Sequence, residues 1–219
     1  MGRMWKIKRS GNFPVAGKAF ASNDVASKWG REVWGAWERE YCSRYDRILG
    51  PISCICGYTG SQLNKAYRNN YNHTIQDDRR IWADVTIKEL SERAPRVPCN
   101  IYAYRMVSKE EACIIVSGRR LQIMFISTSL SSQILKSEEY KSRPYMLEIL
   151  VPKETIGAYV GDISGRKEEC ELLIYGVNYT LERQHYIKRM NGKWTIGCCI
   201  VPHKGVSDRD ESALSDDST

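Results

Sequence analysis

Residues 151–174 read VPKETIGAYVGDISGRKEECELLI, and two strands stand out in them. Gly157–Gly161 (GAYVG) is short, aromatic and bounded by glycine, and the apolar run from Leu172 to Tyr175 follows it across the turn-forming stretch DISG. The second strand opens with three carboxylates in four positions, Glu168, Glu169 and Glu171. Side chains at i and i+2 of an extended strand share a face, so Glu169 and Glu171 are expected side by side, about 7 Å apart. Like charges so close are either a solvated strand end or a site that handles positive charge.

The same two-residue period runs through the second half of the chain. After Pro98 the segments CNIYAYRMV, LQIMFISTS, PYMLEILVP, GAYVG, ECELLIYG and KWTIGCCIVP all read as strands, with the polar SSQILKSEEYKSR between the second and third as a possible short helix. Before Pro98 the period is helical. In NDVASKWGREVWGAWEREYCSRY, Val25, Trp29, Val33/Trp34, Trp37 and Tyr41 fall at three- and four-residue spacing behind an N-cap expected at Asn23 or Asp24. GPISCICGYTG is expected as a connector, YTGSQLNKAYRNN as a second helix beginning after Thr59 or Ser61, and DDRRIWADVTIKELSERAP as a third, stopped by Pro95 and Pro98. Helices first and strands afterwards predict an α+β fold with mostly antiparallel strands.

Composition narrows the class. A chain of 219 residues with 42% hydrophobic content holds one good core, so residues 1–205 are expected to form a single domain. The last fourteen residues carry five acids against one base, which predicts a disordered acidic tail at 206–219 and leaves residues 1–205 with a net charge of +11 within an overall +7. No apolar run has the length of a membrane span, and MGRMWKIKRSGNF lacks the apolar stretch of a secretory leader. Lys6 stands where a myristoylation pattern needs Ser or Thr. The eight cysteines lack C-x-x-C spacing and His73, His185 and His203 stand apart, so no metal is expected and buried thiols are.

Three polar insertions interrupt apolar strands in the order Arg105, Ser127-Thr128-Ser129, then Glu169-x-Glu171. In that order they resemble the mono-ADP-ribosyltransferases of the Arg, Ser-Thr-Ser, Glu-x-Glu class, in particular the bacterial group of binary actin-modifying toxins, insecticidal vegetative toxins and Rho-modifying exoenzymes. The resemblance extends to the opening stretch, to SKWGREVWGAWEREY as the first helix and to YTGSQLNKAYRN as a helix lining the nucleotide pocket, so it covers about residues 20 to 185. It implies an ADP-ribosyltransferase fold in which N-terminal helices pack on two mostly antiparallel β-sheets around an NAD cleft.

Each role follows its matching position. Arg105 matches the arginine that contacts the NAD phosphate or ribose and braces the cleft, for which a planar, always-charged fork is suited. Ser127 matches the serine that orients the catalytic glutamate, with Thr128 and Ser129 supporting the strand pair. Tyr140 and Arg143 look like the aromatic-x-x-Arg pair whose ring packs on nicotinamide and whose arginine takes the diphosphate. Asn64 and Arg68 match helix residues facing the nucleotide, and Tyr58 covers it. Glu171 matches the glutamate that hydrogen-bonds the ribose and supports the cation left when nicotinamide departs, the same electrostatic task as in glycoside chemistry. Glu169 matches the position that separates acceptors, where glutamate goes with arginine and glutamine with asparagine. A second carboxylate there would also raise one pKa of the pair.

The chain departs from the pattern in two places. Arg105 to Ser127 is shorter than in binary toxins, which predicts a trimmed loop over the site. Arg166 stands in the turn where relatives carry an apolar or aromatic target contact. The second, partner-docking domain of binary toxin enzymes has no counterpart, so a single-domain toxin or injected effector is expected, acting in a host cytosol. NAD is then a substrate, the partner is a host protein such as actin or another arginine-bearing target, and no nucleic acid is expected. Two other readings stay open: an NAD glycohydrolase, in which water replaces the acceptor, and a basic nucleic-acid-binding domain, supported by the positive body and thirteen tyrosines but opposed by Glu168-Glu169-x-Glu171.

Overall fold

The first helix starts at a hydroxyl. The Ser22 side chain accepts a hydrogen bond from the Val25 N–H at 3.3 Å, one residue ahead of the expected cap, and α1 runs Asn23–Arg44. Trp34, Trp37 and Tyr41 are buried along its inner face, and Trp29 meets Trp34 edge-on at 5.4 Å. Val25 breaks the expected stripe and is exposed; Phe20, its ring tilted against Trp29 at 4.9 Å, closes that end of the core instead.

The computed structural model describes residues 17–68, 77–119, 121, 123–136, 140, 142–177, 179–190 and 192–202. The acidic tail expected at 206–219 lies outside them. The stretch expected as a connector contains a helix, α2 (Pro51–Cys56), because Pro51 at the first helical position presets the backbone and Ile52, Ile55 and Cys56 turn inward. Helix α3 (Tyr58–Arg68) follows at once, earlier than expected. Helix α4 (Asp77–Lys88) continues into one wide π turn, Glu89–Arg93, where the buried Glu89 is held by Arg44 and Arg93 at 2.8 Å each.

Strands then follow as β1 (Ile101–Val107), β2 (Phe125–Ser129), β3 (Tyr145–Val151), β4 (Gly157–Tyr159), β5 (Glu171–Tyr175), β6 (Tyr179–Met190) and β7 (Lys193–Pro202). The α+β class is as expected. Among the described residues the strands form one order, β4-β5-β2-β1-β3-β7-β6, antiparallel except at β3–β7. Instead of the two expected sheets there is one, whose halves meet where β1 and β2 share a single partner pair, Tyr104 with Ser129. Strand β6 was not foreseen. Nor was α5 (Lys109–Val116), which fills the interval expected as a trimmed loop and is fixed by a reciprocal capping box between Ser108 and Glu111. Among the described residues no helix is long and apolar enough to cross a membrane.

Helix α1 rests on the β4–β5 half through a glycine. A Cβ at Gly30 would stand 2.4 Å from the ring of the fully buried Tyr159. Gly30→Ala is therefore expected to cost about 1–3 kcal/mol by overpacking. That lowers the midpoint of thermal unfolding by about 2–4 °C for each kcal/mol, read by calorimetry; an unchanged midpoint would show that the ring moves aside freely.

Candidate active site

Where the two halves of the sheet diverge, a cleft of about 960 Å³ opens, walled by α2, α3, α5 and the ends of β1 and β2. Ser127 lies opposite Leu173 and Ser129 opposite Glu171, which makes Ser127 and Glu171 diagonal neighbours across the β2–β5 pair. The Ser127 hydroxyl donates to Glu171 Oε1 at 2.5 Å. Glu171 is 1% exposed, and its second oxygen, Oε2, is buried with no hydrogen-bond partner. Burial drives its pKa above the ordinary value of 4.5, opposed in part by the Ser127 hydrogen bond and by the nearby Cys56 thiol, Arg166 guanidinium and Ser164 hydroxyl. The raised pKa is thus first a matter of burial and not, as expected from sequence, of a second carboxylate alongside.

The expected strand pairing of Glu169 with Glu171 is incorrect. Glu169 ends a single 3-10 turn (Lys167–Glu169), Cys170 takes a left-handed conformation with φ 48°, and β5 begins only at Glu171. A left-handed non-glycine residue breaks the two-residue alternation, so the side chains diverge. The Glu169 carboxylate accepts from the Tyr140 hydroxyl at 3.2 Å and stands 3.7 Å from the Arg166 guanidinium. Glu168 is exposed on that turn, as a solvated residue should be.

Arg105 joins the halves. Its Nη1 donates to the Ser127 carbonyl at 2.7 Å, Nη2 lies 3.8 Å from Glu111, and Nε is buried with no partner. Tyr140 is buried, and the Arg143 guanidinium lies 5.1 Å above its ring while donating to the Met106 carbonyl at 3.0 Å. Asn64 lines the cleft, but its side-chain amide is engaged at both ends by the Phe125 backbone, at 2.8 and 2.9 Å, so it fixes the start of β2. Thr128 points away from Ser127 and donates to the Leu172 carbonyl, which braces the strand pair, and Ser129 donates to the Ser131 carbonyl just beyond β2. Arg166 lines the cleft beside Glu169. The side chains of Tyr58 and Arg68 lie outside the described residues.

The structure thus gathers Arg105, Ser127, Tyr140, Arg143 and Arg166 around one cleft, with Glu169 on a small adjoining pocket and Glu171 buried against Ser127, and leaves Asn64 and Thr128 as braces. Sequence reading missed Glu111, which faces Arg105, and Cys56, whose buried thiol has its pKa pushed well up by burial and by Glu171. The Ser108-x-x-Glu111 capping signature was the available signal for the first; a lone cysteine offers none. Among the described residues no three His, Cys, Asp or Glu side chains gather as a metal ligand set. A cleft this large, lined by arginines and by a serine bonded to a buried carboxylate, fits an anionic nucleotide whose reacting sugar becomes cationic.

Comparison with known proteins agrees with that chemistry. The sequence profile described as ADP-ribosyltransferase exoenzyme matches residues 26–195. The fold is similar to that of the Clostridium limosum C3 exoenzyme, with TM-score 0.64 and 16% identity over 87% of this chain and 100% of that one. It is also similar to BECa, an ADP-ribosylating toxin of a binary enterotoxin of C. perfringens solved with NADH, with TM-score 0.66 and 19% identity over 85% of this chain and 50% of that one. A third similar structure is C3stau2 from S. aureus with NAD, with TM-score 0.58 and 15% identity over 86% of this chain and 100% of that one. No curated protein sequence matches the chain. At these identities the structural likeness is one of fold.

The buried carboxylate sets a stability test. Because the folded pKa of Glu171 is raised, the folded state holds its proton where the unfolded chain has lost it. Its contribution to stability is therefore full below about pH 4.5 and is lost as pH rises through the folded value. Glu171→Gln should raise the unfolding midpoint at pH 7.5 by about 2–4 °C and give a much smaller gain at pH 4. Equal midpoints at both pH values would mean that burial imposes no cost on this carboxylate.

Proposed function

The chain belongs to the ADP-ribosyltransferase exoenzyme family, and we propose that it is a toxin or effector that transfers ADP-ribose from NAD to an arginine of a host protein. The observation that carries this reading is the Ser127–Glu171 hydrogen bond, which ties a buried carboxylate to a serine that lines the same cleft as Arg105 and Arg143. Residues up to about 205 are taken as the catalytic unit.

The reaction divides among these groups as follows. Arg105 and Arg143 hold the phosphates, since guanidinium stays charged and binds their oxygens in pairs. Tyr140 supplies an apolar face for nicotinamide. As the bond from the ribose C1′ to nicotinamide breaks, nicotinamide leaves with the bonding electrons and the sugar becomes cationic. Glu171 must be ionised to stabilise that cation, and Ser127 fixes its orientation through Oε1. A guanidinium nitrogen of the target then bonds to C1′, and Glu169 accepts the proton it sheds. Glu169 supports arginine as the acceptor, because a carboxylate both attracts a guanidinium and takes its proton; a glutamine there does neither. Actin is one candidate target.

The test separates transfer from hydrolysis. Purified protein is incubated with labelled NAD and host-cell lysate, with nicotinamide release and protein labelling measured together and the modified residue mapped by mass spectrometry. Glu171→Gln is expected to lower both by about 100-fold or more. Glu169→Gln should lose transfer by a similar factor while hydrolysis stays within about tenfold. Equal loss of both activities in the Glu169 variant, or label on a residue other than arginine, would overturn the acceptor assignment.

A further inference from the structure

Lys193 belongs to none of the motifs above, yet it reaches the rim of the cleft. It begins β7, far in sequence from the active-site segments, and its ammonium donates to the carbonyls of Tyr140 at 2.6 Å and Arg143 at 2.8 Å. The neighbouring Trp194 N–H donates to the Pro144 carbonyl at 3.1 Å. One end of a hairpin thus grips both ends of the short turn that carries the Tyr140 ring and the Arg143 guanidinium. Burial among these groups pushes the Lys193 pKa below the ordinary lysine value.

The two gripped residues have their own side chains aimed inward. Tyr140 donates to Glu169, and Arg143 lies over the Tyr140 ring and bonds the Met106 carbonyl. A turn that presents a ring and a guanidinium to a dinucleotide gains affinity if it is held in place beforehand, because the cost of ordering it is not then charged to binding. Hydrogen bonds from an ammonium to carbonyls are the strong, charge-assisted kind. Lysine also has the reach to span both carbonyls from a neighbouring strand, which shorter cations lack.

We propose that Lys193 is a positioning residue for the dinucleotide: its ammonium fixes the Tyr140–Arg143 turn in the binding-competent arrangement. This rests on the reading of the cleft as an NAD site.

NADH keeps both rings and the diphosphate but has no cationic nicotinamide to expel, so it serves as an uncleaved probe. Its Kd is measured by calorimetry for the wild type, Lys193→Met and Lys193→Arg, alongside thermal unfolding and the KM and kcat for NAD cleavage. Lys193→Met should weaken NADH binding by about tenfold, the loss expected for one charge-assisted hydrogen bond. The rise in KM should exceed the fall in kcat, and Lys193→Arg should recover most of the affinity. An unchanged Kd in Lys193→Met overturns the proposal, as does weakening in both variants that only tracks a lower unfolding midpoint. A wild type that neither binds NADH nor cleaves NAD overturns instead the reading of the cleft on which the proposal rests.

Discussion

Among the described residues β1 and β2 share one partner pair, Tyr104 with Ser129, and the cleft opens where the two strands pair no further. Strands that part leave backbone groups that a continuing ladder would have satisfied, and such groups are costly to bury unpaired. Here the Ser127 carbonyl, just beyond the shared pair, is taken by the Arg105 guanidinium and not by a strand N–H. The same arginine keeps its remaining face toward the cleft. A repair to the sheet and a guanidinium on the cleft wall are thus one residue, which explains why an arginine stands in an otherwise apolar strand.

The turn that carries Glu169 is held by the start of α1, distant in sequence. Asn23, at the start of α1, donates its side-chain amide to the Glu168 carbonyl at 2.8 Å, and its own carbonyl lies 3.3 Å from the Cys170 sulfur, which also meets the Ser27 hydroxyl at 3.2 Å. The Cys170 carbonyl in turn accepts from the Leu130 N–H at 3.0 Å. A left-handed residue is tolerated only where its surroundings fix it, and these contacts do so. The first helix, which reads from sequence as a core element, therefore also sets where Glu169 points. Its seat on Tyr159 through Gly30 carries that position across to β4 and β5.

The sequence was most informative where one physical period ran unbroken. The tryptophan helix, the strands β1, β2, β3, β5 and β7, and the order of the three polar insertions were all legible, because burial on one face imposes a period on the residues. The misses share a cause, which is local structure stabilised by something other than periodicity. Helix α2 is six residues long and rests on Pro51, and α5 rests on a capping box with three apolar positions in a row, Ile114, Ile115 and Val116. Strand β6 carries Glu182, Lys188 and Arg189 among its residues and hides its alternation, although Asn191-Gly192 before β7 is a hairpin signal. Asn64 illustrates a different limit. A polar residue on a pocket-lining helix reads as a ligand contact, and only coordinates reveal that both ends of its amide are already used by a strand.

The position of Glu169 bears on how an acceptor would be received. With a strand geometry it would have stood on the same face as Glu171, the two carboxylates repelling each other inside one pocket. The left-handed Cys170 separates them, so that Glu171 lies buried against Ser127 while Glu169 faces Tyr140 and Arg166. Separation lets the two groups differ in environment, which is the condition for two carboxylates to take different tasks. Arg166, about one-third exposed and 3.7 Å away, already places a guanidinium near Glu169. A partly solvated contact of that length is weak. On the arginine reading of the acceptor, an incoming guanidinium would meet Glu169 where the Tyr140 hydroxyl and the Arg166 guanidinium already stand beside it.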